Sequence, residues 1–184
     1  PKNEGFLGIG PSGNNSKGLI SGDVWSFSET KDASAVFIGT STEITRLNRK
    51  EGVFTHFKRS NNDGDIEKAE QIVLSLKVID NNNVLAGCAD GLFHLKISGN
   101  ADYSYKKLDF LPRDKVSMHD RIYKIEHYKN QKYFLATKGG VVLYDFKENK
   151  SQVFEHNPED KLNSISSGVC RLLFKDKKGR FWFS

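Results

Sequence analysis

This chain has no run of 18 apolar residues that could cross a membrane as a helix. Cysteine is scarce: Cys88 and Cys170 are the two in the chain, and they fall at different places in the pattern described below. Two such cysteines make neither a disulfide framework nor a zinc site, and both read as small buried hydrophobes. No segment longer than about 12 residues keeps a helical hydrophobic period, which excludes a helical bundle. A one-sided charge is also missing. Lysine and arginine total 28 against 23 acids, a net charge of +5. The lysines alternate with acids, as in Lys175-Asp176-Lys177-Lys178 and Lys147-Glu148-Asn149-Lys150. Nucleic-acid footprints are clustered patches or stripes, so no nucleic-acid partner is expected. There is no Gly-x-Ser-x-Gly elbow, P-loop or dinucleotide fingerprint. Gly5 to Gly13 is glycine-rich without the strand, helix and Lys-Ser context of a phosphate loop, and reads as an edge strand plus loop. The chain begins at Pro1 without methionine or signal peptide and reads as an excised or processed piece, so missing targeting signals prove nothing.

What is present is a repeat. The first strand of each unit is Val24 to Phe27, Val73 to Leu76, Ile122 to Ile125 and Val169 to Leu172, with first residues 49, 49 and 47 apart. A second anchor closes the next strand at Gly39, Gly87, Ala136 and Ser184. A fixed period in this range marks a solenoid, propeller or array. The second strands, Val36 to Ile38, Val84 to Ala86, Tyr133 to Leu135 and Phe181 to Phe183, are continuous apolar runs suited to burial on both faces. Third strands follow at Ile44 to Leu47, Leu92 to Leu95 and Val141 to Tyr144, and fourth strands at Val53 to Phe57, Tyr103 to Leu108 and Gln152 to His156. Turns such as Asp80 to Asn83 and Asp176 to Gly179 supply residues that tolerate positive φ. Four short strands in about 45 to 50 residues is the dimension of a propeller blade. The fold class is therefore all-β: a β-propeller segment of about three full four-stranded blades plus parts of a fourth. Residues 1–184 form a single partial domain, with blades at 24–60, 73–110 and 122–158, a partial blade at 169–184, and residues 5–10 as the outer strand of a neighbouring blade.

The C-terminal stretch carries a family signature: Phe154 to Pro158, Asn163 to Ser166, Val169 to Asp176, Gly179 and Phe181 to Ser184. It resembles the two-component regulator propeller repeat. Phe37 to Thr40 matches that family's Trp-Ile-Gly-Thr box, Asp90 to Leu92 its Gly-Leu pair, and Leu19 to Ser21 its crossover. Departures include Lys31 and Lys129 for the turn aspartate and Glu43 for the paired glycine. The resemblance covers roughly residues 16–184. It implies the periplasmic ligand-sensing part of a hybrid two-component histidine kinase, noncatalytic in itself and responding to products of carbohydrate breakdown. The implied partners are a small-molecule ligand, of oligosaccharide type, and further blades of the same parent chain or a second copy closing the open arc. No direct membrane contact by this segment is implied.

Candidate chemistry is sparse, and no cofactor is expected. The inner strands offer Ser26, Ser75, Lys124 and Arg171 at the equivalent polar position, none of them an acid, which disfavours acid/base chemistry on a channel wall. A polysaccharide lyase or hydrolase, or a protein-interaction scaffold, stays open as an alternative. Asn61 to Asp65 with Glu67 has the look of a calcium loop, but its acids fall out of register, so no metal is expected. The five histidines, His56, His94, His119, His127 and His156, show no ligand spacing. Trp25 and Trp182 read as blade packing rather than sugar-stacking platforms. In a propeller, the connections from strand four to the next strand one share a face with the strand two-to-three turns. Ligand contacts are therefore expected from loops 61–71 and 112–121 and from the turns at Ser41-Thr42, Ala89-Asp90 and Lys138-Gly139. The candidate ligand-binding residues are Arg113, His119, Arg121 and Asp90.

Overall fold

A computed structural model describes residues 16–59, 72–99, 102–162 and 164–184. The expected outer strand at 5–10 and the loop at 61–71 lie outside the described residues. The first sheet comprises β1 (Val24–Glu29), β2 (Ala35–Thr40), β3 (Ile44–Asn48) and β4 (Val53–Phe57). The second comprises β5 (Val73–Asp80), β6 (Asn83–Cys88), β7 (Gly91–Ile97) and β8 (Tyr103–Lys107). The third comprises β9 (Ile122–Lys129), β10 (Lys132–Thr137), β11 (Gly140–Asp145) and β12 (Lys150–Phe154). A final hairpin pairs β13 (Leu173–Lys175) with β14 (Phe181–Phe183). Every pairing is antiparallel and sequential, so each sheet is a meander with its first strand at one edge. Beyond strands, the described residues hold a 3-10 turn at Arg113–Lys115 running into α1 (Val116–His119), one short insert in the crossover between the second and third sheets.

Most of the core lies between sheets; a smaller cluster of Ile38, Phe54, Val36 and Leu47 packs within the first sheet against Leu19. Phe37, Ile44 and Phe57 of the first sheet pack on Val73, Leu76 and Phe93 of the second. Leu85 and Leu92 of the second pack on Ile122, Ile125 and Leu135 of the third. Ala136 and Val141 of the third meet Cys170 and Leu173 of the hairpin. This explains the continuous apolar β6 and β10, whose two faces both meet another sheet, while β2 meets the second sheet on one face and packs Ile38 with Leu19 and Phe54 on the other. Glycine is required where inner strands close up: a Cβ on Gly87 would sit 2.7 Å from Ile122 Cγ2 and 3.1 Å from its carbonyl oxygen.

Inner-strand polar groups join neighbouring sheets. Ser26 Oγ donates to Val73 O (2.8 Å), Ile125 N donates to Ser75 Oγ (3.0 Å) and Val78 N donates to Ser28 Oγ (3.0 Å). Lys77 Nζ reaches Glu126 Oε2 at 2.7 Å. The serines singled out from the sequence as channel-wall groups are thus spent on holding blades together.

The fourth unit corrects the sequence register. Spacing set its inner strand at Val169 to Leu172, yet Val169 is 40% and Leu172 68% exposed, while Cys170 is 2% and Leu173 4% exposed. A bond from Cys170 N to Thr137 O (3.0 Å) fixes the slip. Side chains alternate along a strand, so a one-residue slip exchanges its inward and outward sets. The fourth strand of the third sheet is also displaced: it runs Lys150–Phe154 rather than Gln152 to His156.

Both ends of the stack present apolar faces. Phe27 is 66% exposed, whereas its equivalents Leu76, Ile125 and Leu173 are 4%, 1% and 4% exposed against a preceding sheet. At the other end Trp182 is 55% exposed, whereas Phe37 and Leu85, at the same place relative to the strand-two anchor, are fully buried against a following sheet. Trp25, 54% exposed, stands beside Phe27. Trp182 thus stands where the equivalent residues of the first two sheets pack, and among the described residues no sheet covers either tryptophan.

Leu85→Ala should cost about 2–5 kcal/mol in urea denaturation, because the side chain is fully enclosed between two sheets. Acid should also destabilise the fold. Hydrogen bonds from Thr30 and Ser34 hold the Asp32 carboxyl well below the usual carboxylate range. The Glu148 backbone N–H, with Lys132 beside it, lowers the Asp145 carboxyl from its ordinary value. These groups favour the folded state above their unfolded pKa of 3.8, and that contribution disappears as pH falls through their lower folded values. Melting temperatures measured from pH 7 to pH 2 should therefore fall chiefly below about pH 4.

Candidate functional site

The strand two-to-three turns and the crossovers meet on one face of the stack. Each turn is closed by a threonine where one is present. Thr40 Oγ1 donates to Glu43 O (3.1 Å) and Thr137 Oγ1 to Gly140 O (3.0 Å). Gly91 and Gly140 have φ of 144° and 135°, and a Cβ at Gly140 would strike the Phe154 carbonyl oxygen. Glu43 fills the corresponding place in the first sheet.

Between the second and third sheets this face opens into a pocket of about 440 Å³. Asp90 and Gly91 of the β6–β7 turn form one side. Lys107 to Pro112, leaving β8, form the floor, with Leu108, Phe110 and Leu111 supplying apolar surface. Val116, on the helical insert, and Asp120, just after it, complete the lining. Pocket walls of apolar surface with a few carboxylates suit a ligand carrying both carbon faces and hydroxyls.

Asp90 is held in place. Arg59 Nη1 lies 3.0 Å from its Oδ1 and 2.9 Å from its Oδ2, and the guanidinium carbon sits 4.5 Å from the centroid of Phe93. The Asp90 side chain is 36% exposed against 11% for Arg59, so the arginine is the buried support and the aspartate faces the pocket. Arg121 is half-buried, next to Asp120, and its carbonyl accepts from Lys138 N at 3.2 Å. The backbone of Arg113 lies in the 3-10 turn, and its side chain lies outside the described residues.

His119 is placed differently from the expectation of a ligand contact. Its side chain is fully buried, Nδ1 lies 2.7 Å from Thr137 Oγ1, and Nε2–H donates to Glu155 Oε1 at 3.2 Å. Gly139 packs so closely that a Cβ there would lie 2.8 Å from the imidazole. The ring braces the crossover onto the third sheet and offers no surface to a ligand. The second oxygen of Glu155 accepts from Lys115 Nζ at 2.7 Å. That contact lowers the Glu155 carboxyl and raises the Lys115 amine relative to their ordinary values. Sequence spacing could not find this cluster, because Glu155 lies 36 residues from His119.

The remaining histidines serve the fold. His56 Nδ1–H donates to Glu43 Oε1 (2.6 Å), which also accepts from Thr45 Oγ1 (3.0 Å). His94 Nε2 meets Asn83 Oδ1 at 2.9 Å, and burial lowers its pKa. His127 donates to Asn130 O and His156 to Ile165 O, each at 2.8 Å. Among the described residues no three His, Cys, Asp or Glu side chains converge as a metal site would need. The calcium-like stretch 61–67 lies outside them. A second pocket, of about 580 Å³, opens on the opposite face beside Ser28, Lys77, His127 and Tyr133. No helix of the described residues is long and apolar enough to cross a membrane.

No family model matches the chain, and no curated protein sequence matches it. Solved structures do. An extracellular domain assigned to the hybrid two component system BT4673 of B. thetaiotaomicron superposes with a TM-score of 0.68 at 19% identity, over 91% of this chain and 21% of that one. The corresponding domain of BT3049 from the same organism gives 0.53 at 17% identity, over 95% and 27%. Virginiamycin B lyase from Staphylococcus aureus gives 0.60 at 13% identity, over 93% and 51%. At these identities the likeness establishes the propeller fold. The chain spans about a fifth of the length of the BT4673 domain.

Burial drives the Cys88 thiol up to about 12 and raises that of Cys170, and the two are 1% and 2% exposed. Only thiolates react readily with Ellman's reagent. At pH 8 the folded chain should release little of the dye, and two equivalents should appear on unfolding in guanidinium.

Proposed function

We propose that this chain is the ligand-sensing portion of a β-propeller in an extracytoplasmic sensor of the hybrid two-component type. It binds a carbohydrate breakdown product without transforming it. The observation that carries this reading is the pocket between the β6–β7 turn and the crossover after β8, lined by apolar Leu108, Phe110, Leu111 and Val116 and by the carboxylates of Asp90 and Asp120. Carboxylates accept hydrogen bonds from hydroxyls, and apolar side chains cover the carbon faces of a sugar ring. The likeness to the BT4673 and BT3049 domains supports the sensor class, and the repeat motifs support a periplasmic location. The apolar faces at Phe27 and Trp182 would be covered by further blades of the parent chain or by a second copy. Signalling would follow from a ligand preferring one arrangement of neighbouring blades over another.

A lyase shares the fold, so the fold itself does not separate binding from catalysis. Titration calorimetry against oligosaccharides released from xylan, arabinan, mannan and chondroitin should find a binder, and chromatography should recover it intact. Asp120→Ala should weaken that binding by about tenfold or more, the scale of a lost charged hydrogen bond. Lys31→Ala, beside the pocket on the opposite face, should leave it unchanged. Cleavage of the oligosaccharide would move the reading to an enzyme, and failure of the whole panel would remove the carbohydrate assignment.

A further inference from the structure

The pocket has one wall that belongs to no sheet. Residues 112–120 leave the floor, pass through the 3-10 turn and α1, and present Val116 and Asp120 to the cavity. So short a helical insert has no stability of its own. Something must fix it, and two of the contacts that do so meet at one side chain. Glu155, in the residue after β12, accepts from Lys115 Nζ through Oε2 (2.7 Å) and from His119 Nε2–H through Oε1 (3.2 Å). The two basic residues are four apart, one on each side of Val116, so the carboxylate grips both ends of the wall. Lys115 and Glu155 are each 37% exposed, so their contact alone is screened by water, whereas His119 is fully enclosed.

The histidine makes this grip sensitive to protons. Thr137 Oγ1 stands 2.7 Å from His119 Nδ1 and donates its own hydrogen to Gly140 O at 3.0 Å. With Nε2–H given to the carboxylate, Nδ1 must also carry a hydrogen if the threonine is to keep its bond to Gly140. The imidazolium satisfies all three contacts at once. The neutral ring satisfies the carboxylate only if the Thr137 hydroxyl turns away from Gly140 to face Nδ1, which loosens the turn beneath the wall. The other charged groups near the cluster are Asp114, Asp120 and Arg121 on the same segment and Lys138 in the facing β10–β11 turn.

We propose that Glu155 is the positioning residue of this pocket, clasping Lys115 and His119 so that the 112–120 wall is set against the third sheet, and that protonation of His119 tightens the clasp. The inference rests on reading this pocket as the ligand site, but its test needs no ligand. Hydrogen exchange on the chain, followed at pH 5.5 and pH 8 and corrected for the intrinsic pH dependence of exchange, reports protection for 113–121 and for β9–β11 separately. In the unaltered chain the wall should be better protected at the lower pH by a factor of several. Glu155→Gln should lower wall protection by about tenfold at pH 5.5 and remove its pH dependence, with β9–β11 unaffected. Glu155→Asp should recover part of both. Thr137→Val should remove the pH dependence while keeping the lysine contact. Equal wall protection in the unaltered chain and Glu155→Gln would overturn the clasp. A pH dependence that survives Glu155→Gln would overturn the role of His119. Loss of protection throughout β9–β11 would show Glu155 to be a general stabiliser of the third sheet, which also overturns the proposal. Any of these results leaves the sensor reading to the oligosaccharide titrations.

Discussion

Most of the core in the described residues is formed between one sheet and the next. The clusters around Phe37 and Val73, Leu85 and Ile122, and Ala136 and Leu173 each draw residues from two successive sheets. A four-stranded meander exposed on both faces would be marginal in water, so the blades are stable as a stack or not at all. Other features follow from this constraint. The second strand of each unit must be apolar on both sides. A glycine or alanine must stand where inner strands approach. The inner-strand serines are drawn into bonds between sheets, so the channel side is spent on cohesion.

That constraint also made the fold legible in the sequence. A repeated contact demands a repeated pattern, and the anchors at Val24, Val73 and Ile122 mark strands that begin at those residues. The pattern was misleading in the fourth unit, where Val169 to Leu172 imitates the anchor one residue early. A hydrophobic run of Val-Cys-Arg-Leu-Leu-Phe satisfies the period in two registers, and hydropathy does not choose between them. The choice is made by the backbone bond from Cys170 to Thr137 and by the fit of Leu173 against the third sheet. Register set by tertiary contacts is not written in local sequence.

The site was less legible, for a related reason. Loops carry binding groups, and which loop residues face outward depends on what lies beneath them. Asp90 and Arg121 lie in the expected turn and crossover, and Asp90 faces the pocket because Arg59 and Phe93 support it from below. His119, equally polar in sequence, turns inward because Gly139 leaves space for its ring and Thr137 and Glu155 offer it partners. Those partners lie 18 and 36 residues away, in parts of the unit that the repeat does not mark as special. Asp120, its neighbour, was the residue that reached the cavity. Polarity and position nominated the segment, and packing decided between adjacent residues.

The residue that holds the pocket wall is followed in the chain by one that reaches toward the next sheet. Glu155 grips Lys115 and His119 behind it, while His156 donates to Ile165 O in the crossover that leads to β13. Ile165 in turn packs with Val141 and Leu173, and a Cβ on Gly140 would lie 3.0 Å from its side chain. A contiguous set of contacts therefore joins the pocket between the second and third sheets to the junction between the third sheet and the hairpin. Contiguity alone transmits nothing; a ligand biases such a chain of contacts only by binding one arrangement of it more tightly than another. The wall is the part of the pocket fixed by side chains rather than by a sheet. A ligand spanning from Asp90 to Asp120 would act on the blades beyond only to the extent that it binds one placement of the wall more tightly than another.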